Sequence, residues 1–75
     1  MTPLPVLRPE EVIRALERAG FFVERVKGSH HALKHLDKPH LHVTVAFHKE
    51  ELPRGTLRSI LKQADLSVDE FTALL

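Results

Sequence analysis

Three histidines fall within six positions in the stretch Val26 to His35, VKGSHHALKH, and a Gly-Ser step leads directly into the first pair. His40, His42 and His48 follow. An imidazole can ligate a metal, serve a nucleophile or act as a base on its own, and each role needs different company. A zinc site would take His40 and His42 from one strand face and His30 or His31 from a neighbouring strand. No acidic residue among them is well placed as a third or fourth ligand, and a neutral solvated face explains His40 and His42 without an ion. We assign no metal ligands and no cofactor. Ser29 beside His30 is not a hydrolase pair, because adjacent residues of an extended chain point to opposite faces.

Cleavage of RNA asks for less. The substrate carries its own nucleophile, the 2′-hydroxyl. The protein supplies a base near that hydroxyl, positive charge near the phosphate, and a shape that holds the strand. Histidine is the natural base, with an ordinary pKa of about 6.5. A single imidazole with Lys27, Lys34 and the N–H groups around Gly28 would meet the requirement. It is the least demanding chemistry open to 75 residues without a cofactor. On residue types alone, the reading of His30 and His31 as polar strand residues after a turn is the better one.

Charge supports an anionic partner. The net charge is only +1, but it is unevenly spread. Between Arg25 and Lys62, Arg25, Lys27, Lys34, Lys38, Lys49, Arg54, Arg58 and Lys62 face only Asp37, Glu50 and Glu51. That section carries +5 and the two ends together −4, and phosphate is the obvious candidate for the centre. A sheet edge guarded by lysines would look the same.

The elements that must position these residues follow from periodicity. Residues 1–7, with prolines at 3 and 5, read as an extended, loosely held lead-in. Pro9 suits a first helical turn, Glu10 and Glu11 complement its dipole, and Val12, Ile13, Leu16 and Ala19 recur at helical spacing until Gly20 stops the helix. Phe21 to Val26 is a strand, Lys27-Gly28-Ser29 a turn, and His30 to Leu36 a second strand. His40 to Ala46 alternates strictly, with Leu41, Val43 and Val45 toward a core and His40, His42 and Thr44 away. Three strands with short links make an antiparallel meander. Thr56 is placed to cap a helix carrying Leu57, Ile60, Leu61 and Ala64. Ser67-Val68-Asp69-Glu70 is a capping-box pattern that opens a short terminal helix over 67–75, holding Phe71, Leu74 and Leu75. The expected fold is α+β, two-layered, of order α-β-β-β-α with an extra C-terminal helix. Its core should hold Leu16, Val43, Val45, Leu57, Ile60 and Leu61.

Residues 1–75 are read as one domain, since so short a chain cannot build a second core. No cysteine is present, so disulfides and thiolate ligands are excluded. Three scattered glycines make no phosphate-binding loop. No apolar run approaches membrane-spanning length, and the expected location is the cytoplasm.

Gly20-Phe21, Arg25 and Lys27-Gly28-Ser29-His30-His31 resemble the G-F-x-x-x-R-x-K-G-S-H-H stretch of the HicA family, the small mRNA-interferase toxins of HicA–HicB toxin–antitoxin pairs. The resemblance runs through Val43-Thr44-Val45 and resumes at Pro53-Arg54-Gly55-Thr56-Leu57-Arg58-Ser59-Ile60-Leu61-Lys62-Gln63-Ala64, like the family's P-x-G-T-L-R-S-I-L-K-Q-A. It covers about residues 10 to 67. It implies a double-stranded-RNA-binding-domain-like fold, cofactor-free cleavage of mRNA and neutralisation by a HicB-like antitoxin. It implies His30 as the catalytic residue, with Gly28 and Ser29 shaping the turn that presents it. Lys27, Gly28, Ser29, Lys34, Arg54 and Arg58 are the candidate RNA contacts, while His31 either binds RNA or packs beneath the sheet.

The chain departs from the family pattern in places. Ala46-Phe47 precede His48 where Pro-His often follows the third strand, and Asp65 stands where a glycine usually ends the helix. The tail from Val68 is longer than the motif requires. The alternatives are a non-catalytic RNA-binding module of the same fold, for which the lysine-rich pattern at the last helix is absent, and a pure protein-interaction subunit.

Overall fold

The computed structural model describes residues 3–75. Helix α1 spans Pro9–Arg18. Pro9 occupies its first turn, where a missing N–H costs nothing, and the Glu11 carboxylate accepts the Arg8 backbone N–H at 3.0 Å. Its apolar stripe, Val12, Ile13, Ala15 and Leu16, is buried. Gly20, at φ +102°, turns the chain into strand β1, Phe21–Lys27. Strands β2, His30–His35, and β3, His42–Ala46, complete an antiparallel sheet in the order β1-β2-β3. Helix α2, Arg54–Ala64, and helix α3, Val68–Thr72, follow. The α+β order read from the sequence is therefore the observed one, and it agrees with a double-stranded-RNA-binding-domain-like architecture.

One face of the sheet is covered. Phe21, Leu33, Val43 and Val45 pack with the stripes of α1 and α2 in a single core, which also holds the expected Leu16, Leu57, Ile60 and Leu61. Among the described residues no helix lies over the other face.

Several boundaries differ from the expectation. Strand β3 begins at His42 rather than His40, because the Leu41 N–H bonds back to the Lys38 carbonyl at 2.9 Å and closes a turn. Helix α2 begins two residues before Thr56. Pro53 is its N-cap at φ −58°, and the Leu57 N–H closes the first turn on the Pro53 carbonyl at 3.0 Å. Thr56 is thus inside the helix and caps nothing. At the other end Asp65 itself adopts the left-handed conformation, φ 57° and ψ 42°. Leu66 N–H bonds the Leu61 carbonyl and Asp65 N–H the Lys62 carbonyl, the paired bonds of a Schellman stop. Aspartate tolerates that conformation better than most residues, so the stop survives without glycine.

The lead-in is not loosely held. Leu4 and Leu7 are only 3% and 6% exposed, and the Leu7 carbonyl accepts the Leu52 N–H at 2.8 Å. Met1 and Thr2 lie outside the described residues. The other end is anchored too. Ser67 Oγ accepts the Glu70 N–H, and Glu70 Oε1 accepts the Ser67 N–H at 2.9 Å. That second bond, with the Ser67 side chain adding to it, holds the Glu70 carboxyl below its ordinary range. The box starts α3, whose Phe71 is wholly buried, and Arg18 Nη1 donates to the Leu74 carbonyl at 2.6 Å.

Candidate active site

The turn between β1 and β2 is two residues long, Gly28-Ser29, flanked by the cross-strand pair Lys27 and His30. Gly28 has φ +59° while Ser29 does not take a positive φ. A positive angle at the first central position alone is the mark of a type II′ turn, whose twist matches that of the strands it joins. A Cβ at Gly28 would meet nothing within 4 Å, so backbone conformation and not space demands glycine here. The turn places His30 first on β2, exposed, on the face that no helix covers.

A β-bulge decides who joins it there. Phe21 pairs with His35 and Val23 with Leu33, on the covered face, but the register then shifts and Arg25 pairs with Ala32. Strict alternation from Phe21 and Val23 would have sent Arg25 and Lys27 under the helices. The extra residue flips the remainder of the strand, so Arg25 and Lys27 share the face of His30 while Val26 takes the covered side. The open face therefore carries three cross-strand rows, Lys27–His30–Ala46, Arg25–Ala32–Thr44 and Phe22–Lys34–His42. On this face a shallow depression of about 300 Å³ is lined by Glu24, Arg25, Ala32, Lys34, His42 and Thr44, with Leu33 and Val43 contributing. The small side chain of Ala32 leaves the room. Lys34 Nζ is bonded to Glu24 at 3.2 Å, so one of the cations on this face is already partnered.

His31, His35, Arg54 and Arg58 are placed elsewhere. His31 lies on the opposite face from His30, half-buried, its ring stacked on Phe47 with centroids 4.5 Å apart and planes 21° apart. Its buried Nδ1 has no hydrogen-bond partner among the described residues. His35 is a structural residue. Its Nε2 donates to the Ala19 carbonyl at 2.8 Å, its Nδ1 accepts the N–H groups of Asp37 and Lys38 at 3.0 and 3.1 Å, and its ring meets Phe21 edge-on. Both nitrogens are used, which fixes one neutral tautomer. Arg54 and Arg58 lie on α2, in the helix layer, where with Pro3, Leu4, Ser67, Val68 and Asp69 they line a groove of about 450 Å³. They do not join the array around His30. Among the described residues no three histidine or acidic side chains form a group that could hold a metal ion.

The face thus brings together His30, Lys27, Lys34 and the Gly28-Ser29 turn. It adds Arg25, Thr44 and His42, which the sequence reading had not named as contacts. Arg25 was hidden because the bulge leaves no trace in composition.

A family model described as the HicA toxin of bacterial toxin–antitoxin matches residues 9–66, from the first residue of α1 to just past α2. The chain belongs to the HicA toxin family. A search of curated proteins finds no match. As a HicA-family protein it is a toxin of a toxin–antitoxin system, and an antitoxin is its partner. The open face with the His30 turn lies wholly inside the matched stretch. The lead-in with Leu4 and Leu7, and α3 with Phe71, lie beyond it. Among the described residues no helix is long and apolar enough to cross a membrane.

Proposed function

We propose that this HicA-family toxin is an endoribonuclease that cleaves mRNA without a metal, with His30 as the general base on the 2′-hydroxyl. The observation that carries the reading is the exposed His30 at the head of β2, paired across the turn with Lys27 on an uncovered, mostly cationic sheet face. The base needs access to a strand and a cation near the phosphate, and this face offers both. His30 takes the 2′-hydroxyl proton as that oxygen attacks phosphorus, and Lys27 and Arg25 balance charge on the phosphate oxygens. RNA lies along the three rows, with Ala32 leaving space for it to approach the sheet. Arg54 and Arg58, in the helix layer, contact phosphates outside the cleavage point. A HicB-like antitoxin neutralises the toxin by laying an acidic surface over this face.

The test is cleavage of a structured mRNA by wild type and by His30→Ala. The variant should lose activity by about 10²–10⁴-fold with its fold intact, since the side chain is exposed. Wild-type activity should persist in excess chelator, products should end in 2′,3′-cyclic phosphate and 5′-hydroxyl, and a 2′-deoxy substitution at the cut should block cleavage. Full cleavage of that deoxy substrate overturns the mechanism. Undiminished toxicity and RNA binding by His30→Ala would favour a non-catalytic RNA-binding module instead.

A further inference from the structure

A lone base removes the 2′ proton, but the departing 5′-oxygen also needs one, and the structure points to where it comes from. Resting on the nuclease reading above, we propose that His48 is the general acid of the same reaction.

His30 pairs with Ala46, and the pairing continues one step past the end of β3, where the Phe47 N–H donates to the Ser29 carbonyl at 2.6 Å. The Phe47 ring is held on the covered side of the sheet by its stack on His31. Side chains of an extended chain alternate, so a chain running on extended past Phe47 carries His48 to the side of Ala46 and His30. His48 is exposed. In such a register residue 48 is a diagonal cross-strand neighbour of His30, with backbones roughly 7–8 Å apart. Ala46, between them, adds only a methyl group. Two imidazoles are left flanking open ground that a phosphodiester could occupy.

The other histidines do not serve. His31 is on the wrong face and His35 has both nitrogens engaged. His42 pairs with Lys34, four residues along β3 from Ala46, which puts it on the order of 13 Å from the row of His30. His40 precedes β3 and is farther still. The stack of Phe47 on His31 gains a purpose in this arrangement, because it orients the residue that follows it.

The step balances. The 2′-oxygen gives its proton to neutral His30 and forms a bond to phosphorus. The bond from phosphorus to the 5′-oxygen breaks, its electron pair stays on that oxygen, and protonated His48 supplies the proton. The products are a 2′,3′-cyclic phosphate and a 5′-hydroxyl. His30 ends protonated and His48 neutral, and exchange with solvent resets both.

The discriminating experiment changes the leaving group. Wild type, His30→Ala, His48→Ala and His48→Asn are assayed on an oligoribonucleotide and on its analogue with sulfur replacing the 5′-oxygen at the cut, a group that departs without a proton. Both His48 variants should be slowed about 10²–10⁴-fold on the oxygen substrate and return to within a few-fold of wild type on the sulfur substrate. His30→Ala should remain slow on both. Wild-type rates for His48→Ala on the oxygen substrate, or an equal defect on both substrates for both His48 variants, would overturn the proposal. Wild-type protein that cleaves neither substrate would bring down the nuclease reading itself, and the general acid with it.

Discussion

Replacing Gly20 by alanine should be costly for two separable reasons, and a double-mutant cycle with His35 can weigh them. The first is conformational. Gly20 has φ +102°, where a side chain is strained by about 1–2 kcal/mol. The second is steric. A Cβ at Gly20 would stand 2.7 Å from His35 Nε2 and 3.0 Å from its Cε1, distances that real Cβ atoms do not tolerate. The imidazole must move, and it is not free to do so. It would give up the Nε2 bond to the Ala19 carbonyl and strain the two N–H groups held by Nδ1, each worth about 0.5–1.5 kcal/mol. With one or two of these lost, Gly20→Ala should cost about 2–4 kcal/mol. At 0.05–0.15 kcal/mol per residue the whole domain has roughly 4–11 kcal/mol, so the loss is a large share. In a His35→Ala background there is no ring to strike, and the same change should cost only about 1–2 kcal/mol. The chain has no tryptophan or tyrosine, so urea unfolding of the four proteins is best followed by far-ultraviolet circular dichroism. The single costs should together exceed that of the double variant by about 1–2 kcal/mol. An equal cost of Gly20→Ala in both backgrounds would refute the steric part of the reasoning.

Phe71→Ala should destabilise by about 3–5 kcal/mol in the same assay, because the ring is wholly buried; a loss under 1 kcal/mol would show that α3 is not part of the core. Glu24→Gln should change stability by less than about 1 kcal/mol, its bond to Lys34 being half-exposed, yet tighten RNA binding and steepen the salt dependence by about one charge. Anisotropy titrations at several salt concentrations check this, and an unchanged slope would remove Lys34 from the RNA surface. Glu70→Gln should show a pH-dependent deficit. The Glu70 carboxyl titrates below its ordinary range in the folded chain, so its contribution is present above the unfolded pKa and disappears as pH falls through the lower, folded value. The melting-temperature gap between wild type and variant should therefore be open at neutral pH and close in acid; a gap that is constant or widens in acid would contradict the capping role.

The amino-acid sequence by itself determined the element order, because hydrophobic period is local. Val12, Ile13 and Leu16 could only be one face of a helix, and Val43 and Val45 one face of a strand, and these residues are in the core. The Gly28-Ser29 turn and the capping box at Ser67 were legible for the same reason, each being settled by residues a few positions apart. What tertiary structure alone decided is which residues stand together. Leu4 and Leu7 have no periodic partners in sequence and reveal their burial only in the folded core, where Leu7 also bonds the loop before α2. Six histidines looked alike as text, yet one is locked between Ala19 and the turn at Asp37, one is stacked beneath the sheet and one stands free at the head of β2. The bulge at Glu24 is the sharpest case. Side chains alternate with a period of two, so one inserted residue transfers everything beyond it to the other face. Whether Lys27 and Arg25 lay beside His30 or under the helices turned on that single residue, and only the pairing of β1 with β2 could place it.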